Sequence, residues 1–189
     1  MKLIENKILE DGKIINNDIL KVDNFLNHQI DLNIIDEYAK EVKKFFKEEK
    51  IDKVLTIETS GIAVAYAVCE SLGKVPLLFA KKSKSMIVDS NVYSTEIKSF
   101  TKNFVSTVTV NKNYLQSGQN ILIVDDFLAE GNAALGLIDL CHQAGANVVG
   151  FATVIEKGFQ GGRKKIENLG VKVFSGAIIK AFENNKPTF

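Results

Sequence analysis

An α/β fold with a parallel, twisted sheet flanked by helices follows from three observations. Five short apolar runs have the length of buried strands: KVLTI from Lys53, VPLLFA from Val75, NILIVD from Asn120, NVVGFATVIE from Asn147 and VKVFSG from Val171. Helix-like stretches such as AVAYAVCESLG, GNAALGLIDLCHQAG and RKKIENLG separate most of them. Strands that alternate with helices imply βαβ crossovers, hence a parallel sheet covered on both faces.

The elements follow in order. Leu3, Ile4, Ile8 and Leu9 share one helical face, and Asp11-Gly12 ends that pattern, so a short helix is expected over Leu3 to Glu10. KIINNDILKVDNFLNHQIDLN shows neither helical nor strand period and reads as an irregular segment rich in local Asn and Asp hydrogen bonds. A helix from about Ile34 to Lys50 carries Ile34, Ile35, Tyr38, Val42, Phe45 and Phe46 on one stripe. The strand KVLTI then turns through ETSGIA into the next helix. Pro76 is tolerable among the first residues of VPLLFA. The basic, hydroxyl-rich KKSKSMIVDSNVYSTEIKSFTKN reads as a long loop before the β-like FVSTVTV, and Asn111 to Gly118 reads as a turn region. No repeat, low-complexity tract or linker divides the chain, so one domain over 1–189 is expected, with residues 1–32 an appendage on the sheet.

Composition narrows the function. With 46% apolar residues there is enough for one substantial core, and 24 basic against 23 acidic side chains leave no polyelectrolyte character to favour nucleic acid or an anionic membrane. No apolar run reaches the roughly 18 residues of a membrane helix, and MKLIENKILEDGK is unlike a secretory signal, so a cytoplasmic protein is expected. Cys69 and Cys141 lie in apolar segments without the spacing of zinc or redox pairs and read as core residues.

The stretch ILIVDDFLAEGNAALG carries the chemistry. In an open parallel sheet the ligand crevice lies beyond the carboxyl ends of the strands, and Asp125 and Asp126 occupy such an exit. The turn Ala129-Glu130-Gly131-Asn132-Ala133 leads into a helix, so amide donors and the positive end of the helix dipole face the same crevice, as an anion site requires. Small residues at Ala129, Gly131 and Ala133 let an oxygen approach the backbone. Carboxylates for a vicinal diol beside a phosphate cradle describe a ribose 5-phosphate pocket. Glu130 belongs to this loop through its backbone, its carboxylate pointing outward.

Four apolar residues, two acids and a phosphate loop resemble the signature of the type I phosphoribosyltransferases. The resemblance runs through LKVDNFLNHQID, TIETSGIA, LFAKK, ILIVDDFLAEGNA, QAGA and VIEKGFQGGR, nearly the whole chain, and is strongest to members that use xanthine. It implies the type I phosphoribosyltransferase fold, with residues 1–32 as a helix and a small N-terminal hood over the base. It also implies the donor phosphoribosyl pyrophosphate, the acceptor xanthine, Mg2+ bound through the donor, and a homodimer.

What the resemblance assigns to single residues is as follows. Ala129, Glu130, Gly131, Asn132 and Ala133 hold the 5-phosphate; Asp125 and Asp126 hold the ribose hydroxyls and oppose the charge that develops on the ring. Ser60 and Gly61 belong to the pyrophosphate loop Glu58 to Gly61. Lys81 to Lys102 resembles a mobile loop, with Lys82 the pyrophosphate contact and Lys81 the alternative, since an arginine usually stands at Lys81. Lys157 faces an exocyclic oxygen of the base, and Leu20 and Asn27 contact the base from the hood. Phe127 lies against the purine ring or in the core; His28 reads as structural. Enzymes for hypoxanthine and guanine carry an acid where this chain has Ala129, so proton removal from the purine falls to the ionisation of xanthine itself. Two other readings stay open, an enzyme for another purine and a sensor without turnover; a DNA-binding module for the latter finds no room in the chain.

Overall fold

A computed structural model describes residues 1–16, 18–83, 91–99 and 104–189. Its centre is a seven-stranded sheet made of β3 (Lys53–Ile57), β4 (Leu77–Ser83), β5 (Val92–Ser99), β6 (Phe104–Asn111), β7 (Asn120–Leu128), β8 (Asn147–Lys157) and β9 (Val173–Ile179), in the order β5-β6-β4-β3-β7-β8-β9. The five strands anticipated from apolar runs are the parallel ones: β3 pairs with β4 and β7, β7 with β8, and β8 with β9.

The sheet is not parallel throughout. β5 and β6 form an antiparallel hairpin that joins β4 antiparallel, as Lys82↔Val108 and Thr95↔Val108 show. Much of the expected loop Lys81 to Lys102 is therefore strand: Lys81 and Lys82 lie in β4 and Val92–Ser99 is β5. The reason is physical. VYSTEIKS is an edge strand whose β-branched and hydroxyl residues suit a half-solvated pleat, and its polar composition looks like a loop. Residues 84–90 and 100–103 of the expected loop lie outside the described residues.

Helices cover both faces, and the strand alternation sorts the core accordingly. α1 (Lys2–Asp11), α2 (Leu32–Phe45) and α3 (Gly61–Ser71) pack with Val54, Leu122, Val124, Ala152 and Val154. α4 (Asn132–Ala144) packs on the other side with Leu55, Ile57, Ile121, Ile123 and Phe151. Asp31 caps α2, its carboxylate accepting from the amides of Asn33 at 3.1 Å and Ile34 at 3.4 Å. That helix ends at Phe45 rather than near Lys50, where the run KEEK offers no apolar side chain to bury. Phe46 is buried as expected; Phe45 is half exposed and stacks on Phe46 and Phe174. Both cysteines are buried, and burial pushes each thiol up to about 12.

The N-terminal segment expected to be irregular has structure of its own. β1 (Lys13–Ile15) and β2 (Ile19–Lys21) form an antiparallel hairpin, followed by one π-helical turn, Asp23–Asn27, that buries Phe25 and Leu26. A second small hairpin, β10 (Ala181–Glu183) with β11 (Lys186–Thr188), ends the chain and has no counterpart in the expectations. α5 (Gly162–Glu167) is the short helix expected after β8.

Strand order locates the crevice. From β3 the chain crosses through α3 to β4 on one side, whereas from β7 it crosses through α4 to β8 on the other. The connection reverses between β3 and β7, and such a switch point opens at the carboxyl ends of its two strands.

Candidate active site

At that point β3 and β7 part. Their pairing ends at Leu55↔Ile123, while β7 continues against β8 to Leu128↔Glu156. Asp125 and Asp126 therefore sit inside β7 and not at its exit, three and two residues short of Leu128. They lie beyond the last rung shared with β3, which is why they still border the crevice. Inherited strand alternation breaks here. Leu122 and Val124 face the α2/α3 core, yet Phe127 packs on that same core and Leu128 on the opposite one. Phe127 is half-buried in this position.

The two acids are nearly enclosed, at 5% and 8% exposure. The Asp126 amide donates to Asp125 Oδ1 at 2.9 Å, and the Phe127 amide donates to Asp126 Oδ1 at 3.0 Å. Burial, and then the neighbouring Asp126 carboxylate, push the Asp125 carboxyl well above the usual range, while the ammonium of Lys82 pulls the other way. A buried acid pair of this kind is suited to cationic partners and to hydroxyl donors. Among the described residues no group of three or more His, Cys, Asp or Glu forms a metal cage. Two carboxylates are the usual protein share for Mg2+ held mainly by substrate phosphates and water, so the donor set fits that ion.

Two helix starts face the crevice. Gly131, at φ 84°, is the residue before α4, and its left-handed backbone needs the absent side chain. Lys165 Nζ lies 3.2 Å from the Glu130 carboxylate and donates to the Glu130 carbonyl at 2.8 Å. On the β3 side, Glu58-Thr59-Ser60 leads into α3, with a cis peptide between Glu58 and Thr59. Gly61 opens that helix against the acids. A Cβ there would lie 2.5 Å from Thr56 Oγ1 and 2.9 Å from Asp125 Oδ1, so only glycine lets the helix start come so close. Glu58 Oε1 accepts from the Lys82 amide at 2.6 Å, joining this turn to β4. Of the two lysines, Lys82 is the one whose charge acts on Asp125.

Lys157, expected to face the base, closes β8. Lys157 Nζ donates to the carbonyl of Asp18, in the turn between β1 and β2, at 2.9 Å and stands 5.7 Å from the centroid of the Phe182 ring. Burial lowers its pKa, and the Asp18 carboxylate partly opposes that. The hood is thus tied to Lys157 two residues before Leu20, which is buried in β2. Asn27 is exposed and closes the π-helical turn. His28, beside it, is exposed too.

Several contributors were not anticipated. Asp18 and Phe182 meet Lys157 from small hairpins that lack the apolar runs of the parallel strands. Glu156, 2% exposed, accepts from Arg163 Nε at 3.0 Å and from Nη2 at 2.7 Å, and from the Ser175 hydroxyl. A carboxylate at the end of a buried strand, seven residues before an arginine, was the available signal.

The Phosphoribosyl transferase domain family matches residues 21–184. Xanthine phosphoribosyltransferase 1 of Clostridium perfringens is 51% identical over 189 residues, 100% of both chains. The xanthine phosphoribosyltransferase of Laribacter hongkongensis is 48% identical over the same full length of both. Among solved structures, Saccharomyces cerevisiae adenine phosphoribosyltransferase, complexed with an iminoaltritol bisphosphate and adenine, has the same fold: TM-score 0.74 at 23% identity, covering 94% of this chain and 100% of that one. The enzyme of Giardia lamblia complexed with 9-deazaadenine gives 0.68 at 27% identity, covering 76% and 78%. With a family match across most of its length, and with paired acids and two helix starts at the switch point of its sheet, the chain belongs to the phosphoribosyl transferase family.

Proposed function

We propose that the chain transfers the 5-phosphoribosyl group from phosphoribosyl pyrophosphate to xanthine, giving xanthosine 5-monophosphate and pyrophosphate in purine salvage. The observation that carries the reading is the crevice itself. A buried acid pair lies between the starts of α3 and α4, with Lys157 beyond it, in a chain about half identical along its whole length to xanthine phosphoribosyltransferases. In this reading Ala129 to Ala133 cradles the 5-phosphate and Ser60-Gly61 takes the pyrophosphate with Lys82. Asp125 and Asp126 bind the ribose hydroxyls and hold Mg2+ together with the donor. As pyrophosphate leaves, the ring turns cationic, and the fixed acid pair stabilises it without reorganising.

Specificity rests on Lys157, whose ammonium donates to an oxo group and repels the amino group of adenine. Leu20, Asn27 and Phe127 complete the base site. Ala129 offers no base, so the anion of xanthine is the reacting species. The reading also takes the protein to be a cytoplasmic homodimer; among the described residues no helix is long and apolar enough to cross a membrane.

The test is a steady-state assay with phosphoribosyl pyrophosphate, Mg2+ and each purine in turn. Xanthine is expected to give the highest kcat/KM and adenine no turnover. A preference for guanine or hypoxanthine would correct the substrate, and no turnover with any purine would leave a sensor.

A further inference from the structure

α5 holds the loop Ala129 to Ala133 from behind. The Gly162 amide donates to the Ala129 carbonyl at 3.1 Å, and Lys165 Nζ donates to the Glu130 carbonyl at 2.8 Å. Across a planar trans peptide, carbonyl and amide point in opposite directions. Fixing two successive carbonyls toward α5 therefore aims the next two amides, those of Glu130 and Gly131, into the crevice. Consecutive amides so directed form an anion-binding nest. α5 can approach this closely because its first residue is glycine. A Cβ on Gly162 would clash with the Ala129 carbonyl and lie 2.8 Å from the Gly131 nitrogen.

Lys165 has a second effect on the same loop. The Glu130 carboxylate would repel a bound phosphate, and the ammonium 3.2 Å away offsets its charge. The same first turn of α5 is anchored beside Lys157. Arg163 grips buried Glu156, the neighbour of Lys157, and also donates to the Val173 carbonyl at 3.2 Å. One short helix thus braces the phosphate end of the crevice from a footing at the base end.

We propose that Lys165 is a positioning residue for the sugar phosphate, acting through Glu130 to aim the loop amides and to silence a misplaced negative charge. The proposal rests on the reading of Ala129 to Ala133 as the 5-phosphate loop and does not depend on which purine is used. Lys165 is half exposed, so its removal leaves the core intact.

Calorimetric binding of ribose 5-phosphate to the full chain, with steady-state kinetics beside it, provides the test. Lys165→Met is expected to weaken ribose 5-phosphate binding about tenfold, or roughly 1.4 kcal/mol. It raises KM for phosphoribosyl pyrophosphate by a similar factor, with kcat and KM for xanthine within about twofold, because a phosphate contact is shared by ground and transition states. Lys165→Arg restores binding, and Glu130→Gln added to Lys165→Met restores part of it by removing the repulsion. A Lys165→Met chain that binds ribose 5-phosphate as tightly as the parent overturns the proposal, and so does an equal rise in both KM values. A parent chain that turns over another purine but binds ribose 5-phosphate corrects only the substrate; one that does not bind it overturns both.

Discussion

Asp125 is placed against its own stability. Its folded carboxyl is pushed up by burial and by Asp126, so the fold favours the protonated form. The sign follows: stability linked to this group is fully present below the ordinary carboxylate pKa and is lost as pH rises from there through the raised one, so ionising Asp125 destabilises the free protein. Asp125→Asn keeps an Oδ1 to accept the Asp126 amide and removes the charge. Scanning calorimetry at pH 7 is expected to show Tm raised by about 2–4 °C, the shift of roughly 1 kcal/mol in a chain this long. The gain shrinks at acid pH while transfer activity is lost. No gain at pH 7 would contradict it. Lys157 is displaced in the opposite sense, burial lowering its pKa. It loses its proton below the ordinary lysine range, so kcat/KM for xanthine falls on the alkaline side from there. The acid limb follows the ionisation of xanthine, since Ala129 supplies no base. In Lys157→Arg the guanidinium stays charged and the alkaline limb is expected to vanish from the pH profile, even at lower efficiency. Asp125 and Asp126 stood out because acids that close an apolar run have few structural uses there, whereas Lys157 was indicated by the family resemblance alone. The Lys157 partners Asp18 and Phe182 were not legible, because contacts between separate elements, one of them across 139 residues, leave no local period.

At the scale of elements, the parallel strands and their helices were readable from apolar runs, and what escaped was built from polar residues. β5 was hidden by its edge composition. Both small hairpins carried a signal in Asn pairs: Asn184 and Asn185 stand at φ 52° and 57°, the left-handed geometry of a tight two-residue turn, and Asn16 opens the other turn at φ 53°. IINNDIL and AFENNKPT therefore carry the turn chemistry of hairpins. α5 was legible as a helix, whereas its brace on the loop Ala129 to Ala133 depends on Gly162, whose meaning appears only with the Ala129 carbonyl against it. The docking of the hood has a comparable hinge on one glycine. A Cβ on Gly176 of β9 would meet Ile4 Cδ1 at 2.5 Å and the Val154 carbonyl at 2.7 Å, and its carbonyl accepts from the N-terminal ammonium of Met1. Gly176→Val is expected to cost about 1–3 kcal/mol by overpacking. Because it lifts α1 and the hood attached to it, KM for xanthine rises more than KM for phosphoribosyl pyrophosphate. Equal effects on the two constants would detach the hood from base binding.

At the scale of the whole molecule, the reversal of strand order between β3 and β7 explains why residues from both faces meet. α3 comes from one face and α4 from the other, and their first turns converge where the two strands separate. The same layout leaves two aromatic side chains near the crevice at the surface. Phe79 of β4 shares by alternation the side of Leu77, which packs with the α3 core, yet it is 39% exposed, and Tyr66 on α3 is 60% exposed. Large aromatic side chains held at a surface by rigid elements are favoured at protein interfaces. For the homodimer proposed above, Tyr66 and Phe79 are the side chains to test, Tyr66 standing on the helix that follows the turn Glu58 to Gly61. A closed symmetric dimer buries the same patch on both subunits, so one substitution is applied twice in the interface. Light scattering at micromolar concentration is expected to give twice the chain mass for the parent. Tyr66→Glu combined with Phe79→Glu is expected to give the monomer mass with unchanged circular dichroism, since neither side chain lies in the core. A monomeric parent would remove the dimer, and a dimer that survives both charges would move its interface to another face.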